Sequence, residues 1–163
     1  MRIVCLGEAP QHIPALAREH LQAFGPLLPE WSALEAEADL RSHRYDSRIP
    51  TSWIALEGDD WLGSVSLLQN DDTRIRQFSP WLATLYVRPQ ARSGGVGAHL
   101  VAHCVQAAAR LRVGHLYLYC EPRLVPYYQS LGWQPHAQLP LGPLQVTVMR
   151  IDAGALAVPV QTA

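Results

Sequence analysis

Ser93, Gly94, Gly95 and Gly97 crowd the point where a strand-forming run, residues 81–87, gives way to a helical repeat. Small side chains let backbone N–H groups approach a ligand closely, and the unpaired amides and dipole of a helix N-terminus attract an anion. The chemistry this suggests is the holding of a phosphate or pyrophosphate. The loop is not a P-loop, because no Gly-Lys-Ser/Thr follows, and it lacks the G-x-G-x-x-G of dinucleotide-binding folds. A tight turn with no ligand accounts for a glycine cluster equally well, so the loop alone leaves both readings open. His99 and His103, four apart, share a helix side, but no third ligand accompanies them and no metal is expected. Cys120 ends a strand with no histidine partner in view and reads as a buried, inert thiol. Ser93 and Ser130 sit in no nucleophile elbow.

Val96, Leu100, Cys104, Ala107 and Leu111 recur at steps of four, four, three and four, which predicts a long helix opening in the glycine cluster and closing near Gly114. Before it, 81–87 is a buried central strand ended by Pro89; after it come a strand at 115–120, a short helix at 125–131 closed by Gly132, and a last strand at 145–151 beyond a Pro/Gly-rich connection. Upstream, 3–6 predicts a short strand. Ile13, Leu16, Ala17, Leu21 and Phe24 predict a helix stopped by Gly25-Pro26, and Trp31, Leu34, Ala38 and Tyr45 a second one ending before Pro50. Runs at 51–57 and 61–68 around Gly58-Asp59-Asp60 predict an antiparallel hairpin, and the polar stretch 70–79 a solvated loop. These elements make one domain over residues 1–152, followed by a frayed tail at 153–163.

The chain has 163 residues, 48% hydrophobic and 17% charged, enough for one sizeable core. A net charge of -1 argues against nucleic acid or an anionic membrane as a partner. All 13 cations are Arg, so chemistry that needs a Schiff-base or P-loop lysine is excluded. Three cysteines without a C-x-x-C pair encode neither a disulfide framework nor a cysteine zinc site, and the cytoplasm is the expected compartment. No run approaches the roughly 18 apolar residues of a membrane span.

Arg92, Gly95 and Gly97 resemble the acyl-CoA-binding signature Q/R-x-x-G-x-G/A of the GNAT superfamily of N-acyltransferases, with Val87 and Pro89 at the usual upstream places. A second segment, Tyr127-Tyr128-Gln129-Ser130-Leu131-Gly132-Trp133, is similar to the recurrent GNAT pattern of two aromatics, two free positions, a hydrophobe, glycine and an aromatic. The order of elements matches that fold as well. The resemblance implies a three-layer α/β domain whose mixed, mostly antiparallel sheet is flanked by helices and splays between the strands at 81–87 and 115–120. It implies acetyl-CoA as cosubstrate and direct transfer of the acetyl group, through a tetrahedral intermediate, to a primary amine.

Placed by that resemblance, Leu85, Tyr86 and Val87 line the pantetheine, with the Leu85 amide facing the thioester carbonyl as an oxyanion donor. The amides of Ser93, Gly94, Gly95, Val96, Gly97 and Ala98 cradle the pyrophosphate, and Arg92 adds charge or caps the loop. Tyr128 matches the tyrosine that protonates the departing thiolate. Many relatives carry a Glu or His base where Ala83 stands, so deprotonation here passes through ordered water or another carboxylate, Glu121 being the nearest candidate. Acceptors bind in the N-terminal half, where most of Trp31, Tyr45, Trp53, Trp61 and Trp81 read as core. Trp81 and Phe78 are the expected acceptor contacts, and Glu30, Glu35, Asp71 and Asp72 either attract a cationic amine or form a solvated face. The amine belongs to a small molecule, such as an antibiotic or polyamine, or alternatively to a protein N-terminus or lysine. A non-catalytic acyl-CoA sensor is the remaining alternative, and a homodimer is compatible with the resemblance.

Overall fold

The computed structural model describes residues 1–27 and 30–154. Its strands are β1 (Arg2–Cys5), β2 (Thr51–Glu57), β3 (Asp60–Leu68), β4 (Trp81–Val87), β5 (His115–Cys120), β6 (Gln134–Leu141) and β7 (Leu144–Asp152). The α-helices are α1 (Ile13–Phe24), α2 (Ala33–Ser42), α3 (Val96–Arg110) and α4 (Val125–Ser130). The strands form one sheet in the order β1-β2-β3-β4-β5-β7-β6, antiparallel except between β4 and β5.

Period-two alternation, reset by the bulge at Leu62 on β3 and by a second bulge on β4, assigns the two faces. Trp53, Ala55, Val65 and Leu67 point to the face covered by α3 and α4, where they meet Leu100, Cys104, Tyr128 and Trp133. Ile54, Leu56, Trp61 and Tyr86 point the other way, against Leu16 of α1 and Leu40 of α2. Helix, sheet and helix thus form the three layers expected. Beyond α1 and α2, the second face continues as a separate aromatic cluster in which Ile75, Trp81, Tyr117 and Val148 pack together. Trp53 is 1% exposed, with its ring edge-on to His103 at 5.3 Å. Trp53→Ala is expected to lower the unfolding free energy by about 3–5 kcal/mol, which urea denaturation would measure.

The sheet opens where the resemblance requires. Trp81↔Tyr117 is the only residue pair in register between β4 and β5, and the Tyr117 amide donates to the Pro80 carbonyl at 3.0 Å. Past that point the strands part. On its other side β4 carries a bulge: Ser66 pairs with Ala83 and Ser64 with Tyr86, so Thr84 and Leu85 stand together opposite Val65. Thr84 takes a φ of +47°, a left-handed conformation costly for a β-branched residue.

Four expectations change. The second helix is shorter and differently phased: Ala36 and Leu40 face the core, whereas Leu34 is 80% exposed and Tyr45 lies beyond the helix. Loop 70–79 is not simply solvated, because Ile75 is buried and Asp72 accepts from Arg74 Nε at 2.9 Å and Nη2 at 2.7 Å. Strand β6 was hidden by Pro135 and Pro140, which the sheet edge tolerates because an edge strand's outer amides need no partner. At the far end, Ala153 is buried and its amide donates to the Gly114 carbonyl at 3.1 Å. The rest of the tail, 155–163, lies outside the described residues.

Candidate active site

A cavity of about 820 Å³ fills the space between α1 and α2 on one side and the parted strands β4 and β5 on the other. Ala83, Thr84 and Leu85 form its floor along β4, and Cys120, Glu121 and Tyr128 its far wall. Helices α1 and α2 contribute His20, Phe24, Asp39 and Leu40; Trp31 and His43 flank α2, and Asp71 and Tyr119 close the remaining side.

Leu85 and Tyr128, the two residues expected to act on the thioester, both line this space. Because of the bulge, Leu85 has no register partner on β3, and the splay leaves it none on β5. Tyr128 is buried, and desolvation, with smaller contributions from the neighbouring Cys120 and Tyr127, pushes its phenol well above the usual value. Its hydroxyl therefore keeps its proton across the physiological range. Burial, with Glu121 adding to it, also lifts the Cys120 thiol to about 11, so at neutral pH Cys120 is a thiol and a poor nucleophile.

At the glycine loop, Ser93 takes a φ of +69° and Gly95 +81°, and Gly95 is the residue that precedes the first turn of α3. Left-handed residues this close together are a feature of the backbone concavities that hold phosphates. A Cβ on Gly97 would lie 3.3 Å from the Tyr127 hydroxyl and 3.6 Å from Val87 Cγ2, so the glycine lets the start of α3 sit close to β4 and α4. Arg92 Nε donates to the Val87 carbonyl at 2.9 Å, and its guanidinium lies 5.9 Å from the centre of the Tyr86 ring. That bond straps the loop to the end of β4. These residues fit the pantetheine and pyrophosphate of coenzyme A. His99 Nδ1 lies 2.7 Å from the Gly95 carbonyl oxygen, while His103 packs on Trp53. Among the described residues, no three His, Cys, Asp or Glu side chains gather as a metal site.

The two residues expected to touch the acceptor stand outside the cavity. Trp81 is fully buried, its ring 6.3 Å from that of Phe78 and 5.9 Å from that of Tyr119, and neither Trp81 nor Phe78 lines the cavity. They stand one layer behind Tyr119, which does. Of the acidic residues named from the sequence, Asp71 enters the cavity, whereas Asp72 is held below the usual carboxylate range by Arg74 and points its charge there. Desolvation lifts the Asp71 carboxyl to about 6, against a hydrogen bond from Tyr119 that lowers it and with the nearby Asp72 charge raising it. Glu121 lines the wall but is exposed and paired with Arg123 Nε at 2.7 Å. Asp39, not singled out in the sequence, also lines the space and accepts from Trp31 Nε1 at 3.3 Å.

The sequence model of the acetyltransferase (GNAT) family matches residues 14–133, most of the chain and both glycine-bearing segments. The chain belongs to the GNAT family. Among solved structures, this GNAT chain is similar to a ribosomal-protein-alanine N-acetyltransferase from Brucella melitensis at 20% identity and a TM-score of 0.72, over 93% of this chain and 99% of that one. An aminoglycoside 6'-N-acetyltransferase complexed with coenzyme A gives 14% identity and 0.70, over 94% and 97%. A Salmonella typhimurium protein solved with acetyl-CoA gives 15% and 0.70, over 94% of each chain. At these identities the likeness establishes the fold and leaves the acceptor open. No curated protein matches the chain in sequence.

Proposed function

We propose that this GNAT domain, residues 1–152, moves an acetyl group from acetyl-CoA to a primary amine of a small cationic molecule. The observation that carries the reading is the 820 Å³ cavity, a volume suited to a small ligand, in which aromatic walls and the carboxyl groups of Asp39 and Asp71 converge on the parted strand. Acetyl-CoA, when bound, supplies the acetyl group as a reactive thioester. The Leu85 amide donates to the oxygen on which negative charge develops, and the amides of 93–98 hold the diphosphate. The Tyr128 hydroxyl donates to the departing sulfur. Phe24, Trp31 and Tyr119 bracket the acceptor, with Trp81 and Phe78 as their backing. The compartment in this reading is the cytoplasm, which the three free cysteines support.

Calorimetric titration with acetyl-CoA, followed by thiol release with polyamines, aminoglycosides and N-terminal peptides, tests the reading. Micromolar binding and turnover with a polyamine or aminoglycoside are expected. Turnover confined to peptides would transfer the assignment to protein acetylation, and tight binding without any turnover would favour a sensor.

Asp71 gives this reading a pH signature. Its carboxyl, raised to about 6, is ionised at pH 7 and protonates as pH falls through that value. A cationic acceptor favours the ionised form, so its KM is expected to rise below pH 6. Asp71→Asn should raise KM about tenfold at pH 7, the equivalent of one charge-assisted contact, and abolish the low-pH rise. Steady-state kinetics at pH 5.5 and 7.5 would measure both.

A further inference from the structure

Four polar side chains cross the sheet in a row, and three of them, His43, Ser66 and Thr84, line the cavity. His43 follows α2 and places Nδ1 2.8 Å from Ser52 Oγ on β2. Ser52 Oγ lies 2.6 Å from Ser66 Oγ, its register partner on β3. Thr84 Oγ1, on the bulge of β4, donates to Ser66 Oγ at 2.8 Å. Ser52 is 1% exposed, Ser66 2% and His43 8%, in positions where apolar residues would pack at no desolvation cost. Thr84 sits in the row with a left-handed φ of +47°. Backbone strain of this kind persists where surrounding structure fixes it, and it clusters at working sites.

One direction keeps every hydroxyl hydrogen within the row. Ser66 accepts from Thr84 and has a single hydroxyl hydrogen, which goes to Ser52. Ser52 in turn gives its own to His43 Nδ1. In that direction every hydrogen points from Thr84 toward the imidazole, whose neutral form then carries its proton on Nε2. Resting on the acyl-transfer reading, we infer that Thr84, Ser66 and Ser52 relay a proton from the acceptor ammonium to His43, which replaces the base missing at Ala83.

The step balances. As the ammonium gives one proton to Thr84 Oγ1, each hydroxyl passes its own hydrogen onward and His43 becomes imidazolium. The freed nitrogen pair forms the C–N bond, the C–S bond breaks with its pair on sulfur, and the second nitrogen proton ends on that sulfur. His43 returns its proton to the solvent of the cavity that it lines beside Asp39. Two charged or titratable groups bear on His43: Asp39 of α2, which favours its protonation, and His20 of α1, with which it repels. Burial outweighs Asp39 and lowers the His43 imidazole below its usual value, so it is neutral and able to accept at pH 7. His20, by contrast, has its hydrogen-bond contact with Ser64, at 3.1 Å, and packs edge-on against Phe24 and against Tyr86 of β4, outside the row.

Nitrogen-15 NMR of the imidazoles in the wild-type protein is expected to show His43 neutral at pH 7 with Nδ1 unprotonated. A proton on Nδ1 would overturn the relay without reference to any variant. With the best amine of the panel, Ser52→Ala and His43→Gln should lower kcat at least about tenfold with KM within about twofold. Both should also displace the acidic limb of the kcat profile, Thr84→Val should behave alike, and Thr84→Ser should restore the rate. Folded Ser52→Ala and His43→Gln proteins with the wild-type kcat and pH profile would sink the relay alone. A wild type that binds acetyl-CoA and acetylates no amine would defeat the acyl-transfer reading, and the relay with it.

Discussion

Tyr128→Phe is expected to reduce kcat by about 10²-fold, while acetyl-CoA binding stays within about twofold. Tyr128 and Leu85 line the same cavity, and the Tyr128 ring is held from behind by Trp133 at 6.5 Å and from the side by Tyr127 at 5.1 Å. Removing one oxygen leaves that packing in place, so the loss belongs to the chemical step and not to the fold. Burial has a second consequence. A free phenol titrates near about 10 and a thiol near about 8–9, so a phenol raised further by desolvation gives up its proton reluctantly. Tyr128 then acts mainly by hydrogen bonding to the sulfur as charge gathers there, which places the effect at the lower end of the range for general acids. The kcat profile should show no Tyr128 limb below about pH 10. A Tyr128→Phe enzyme at wild-type speed would remove the residue from the reaction.

Much of the frame was legible because local signals agreed with the tertiary fold. Pro89 and Gly114 punctuate the central region, and the strands Trp81–Val87 and His115–Cys120 fall where the apolar runs and these breaks put them. Where the signal depended on distant partners, reading failed. Trp31, Leu34, Ala38 and Tyr45 keep a helical rhythm, yet α2 turns Ala36 and Leu40 inward, because small and medium side chains fit against Leu6 and Ile54. Strand β6 contradicts its own propensity and exists because β7 offers a ladder along its length, interrupted once at His136. The site divides in the same way. Its glycine loop and Tyr128 are contiguous motifs, whereas the row from His43 to Thr84 is assembled from four elements by strand register and a bulge. One clue was present: Ser64 and Ser66, two apart in an apolar strand, must share a face. Nothing local said that the same face would carry Ser52 and two histidines. Asp71 likewise differs from its neighbour Asp72 only through what packs around it.

Gly95→Trp is expected to weaken acetyl-CoA binding at least about 100-fold, or roughly 2.7 kcal/mol, with the fold retained. Two separate effects act at this position. A φ of +81° is strained for any residue with a Cβ, and the only atoms near that Cβ are those of the His99 ring at 3.7 Å. An indole here has room to be built, but it would stand in the loop proposed to hold the diphosphate. Strain and obstruction can be separated with Gly58, which has a φ of +60° and nothing within 4 Å of its Cβ, in the turn between β2 and β3. Gly58→Ala and Gly95→Ala should lose similar stability, on the order of 1 kcal/mol, since both pay the same backbone cost. Only the substitutions at 95 should disturb calorimetric binding, and Trp far more than Ala. Equal binding by Gly95→Trp and wild type would detach the diphosphate from this loop. The left-handed Ser93 and Gly95 would then be a tight turn and no more, the alternative that a glycine cluster always carries.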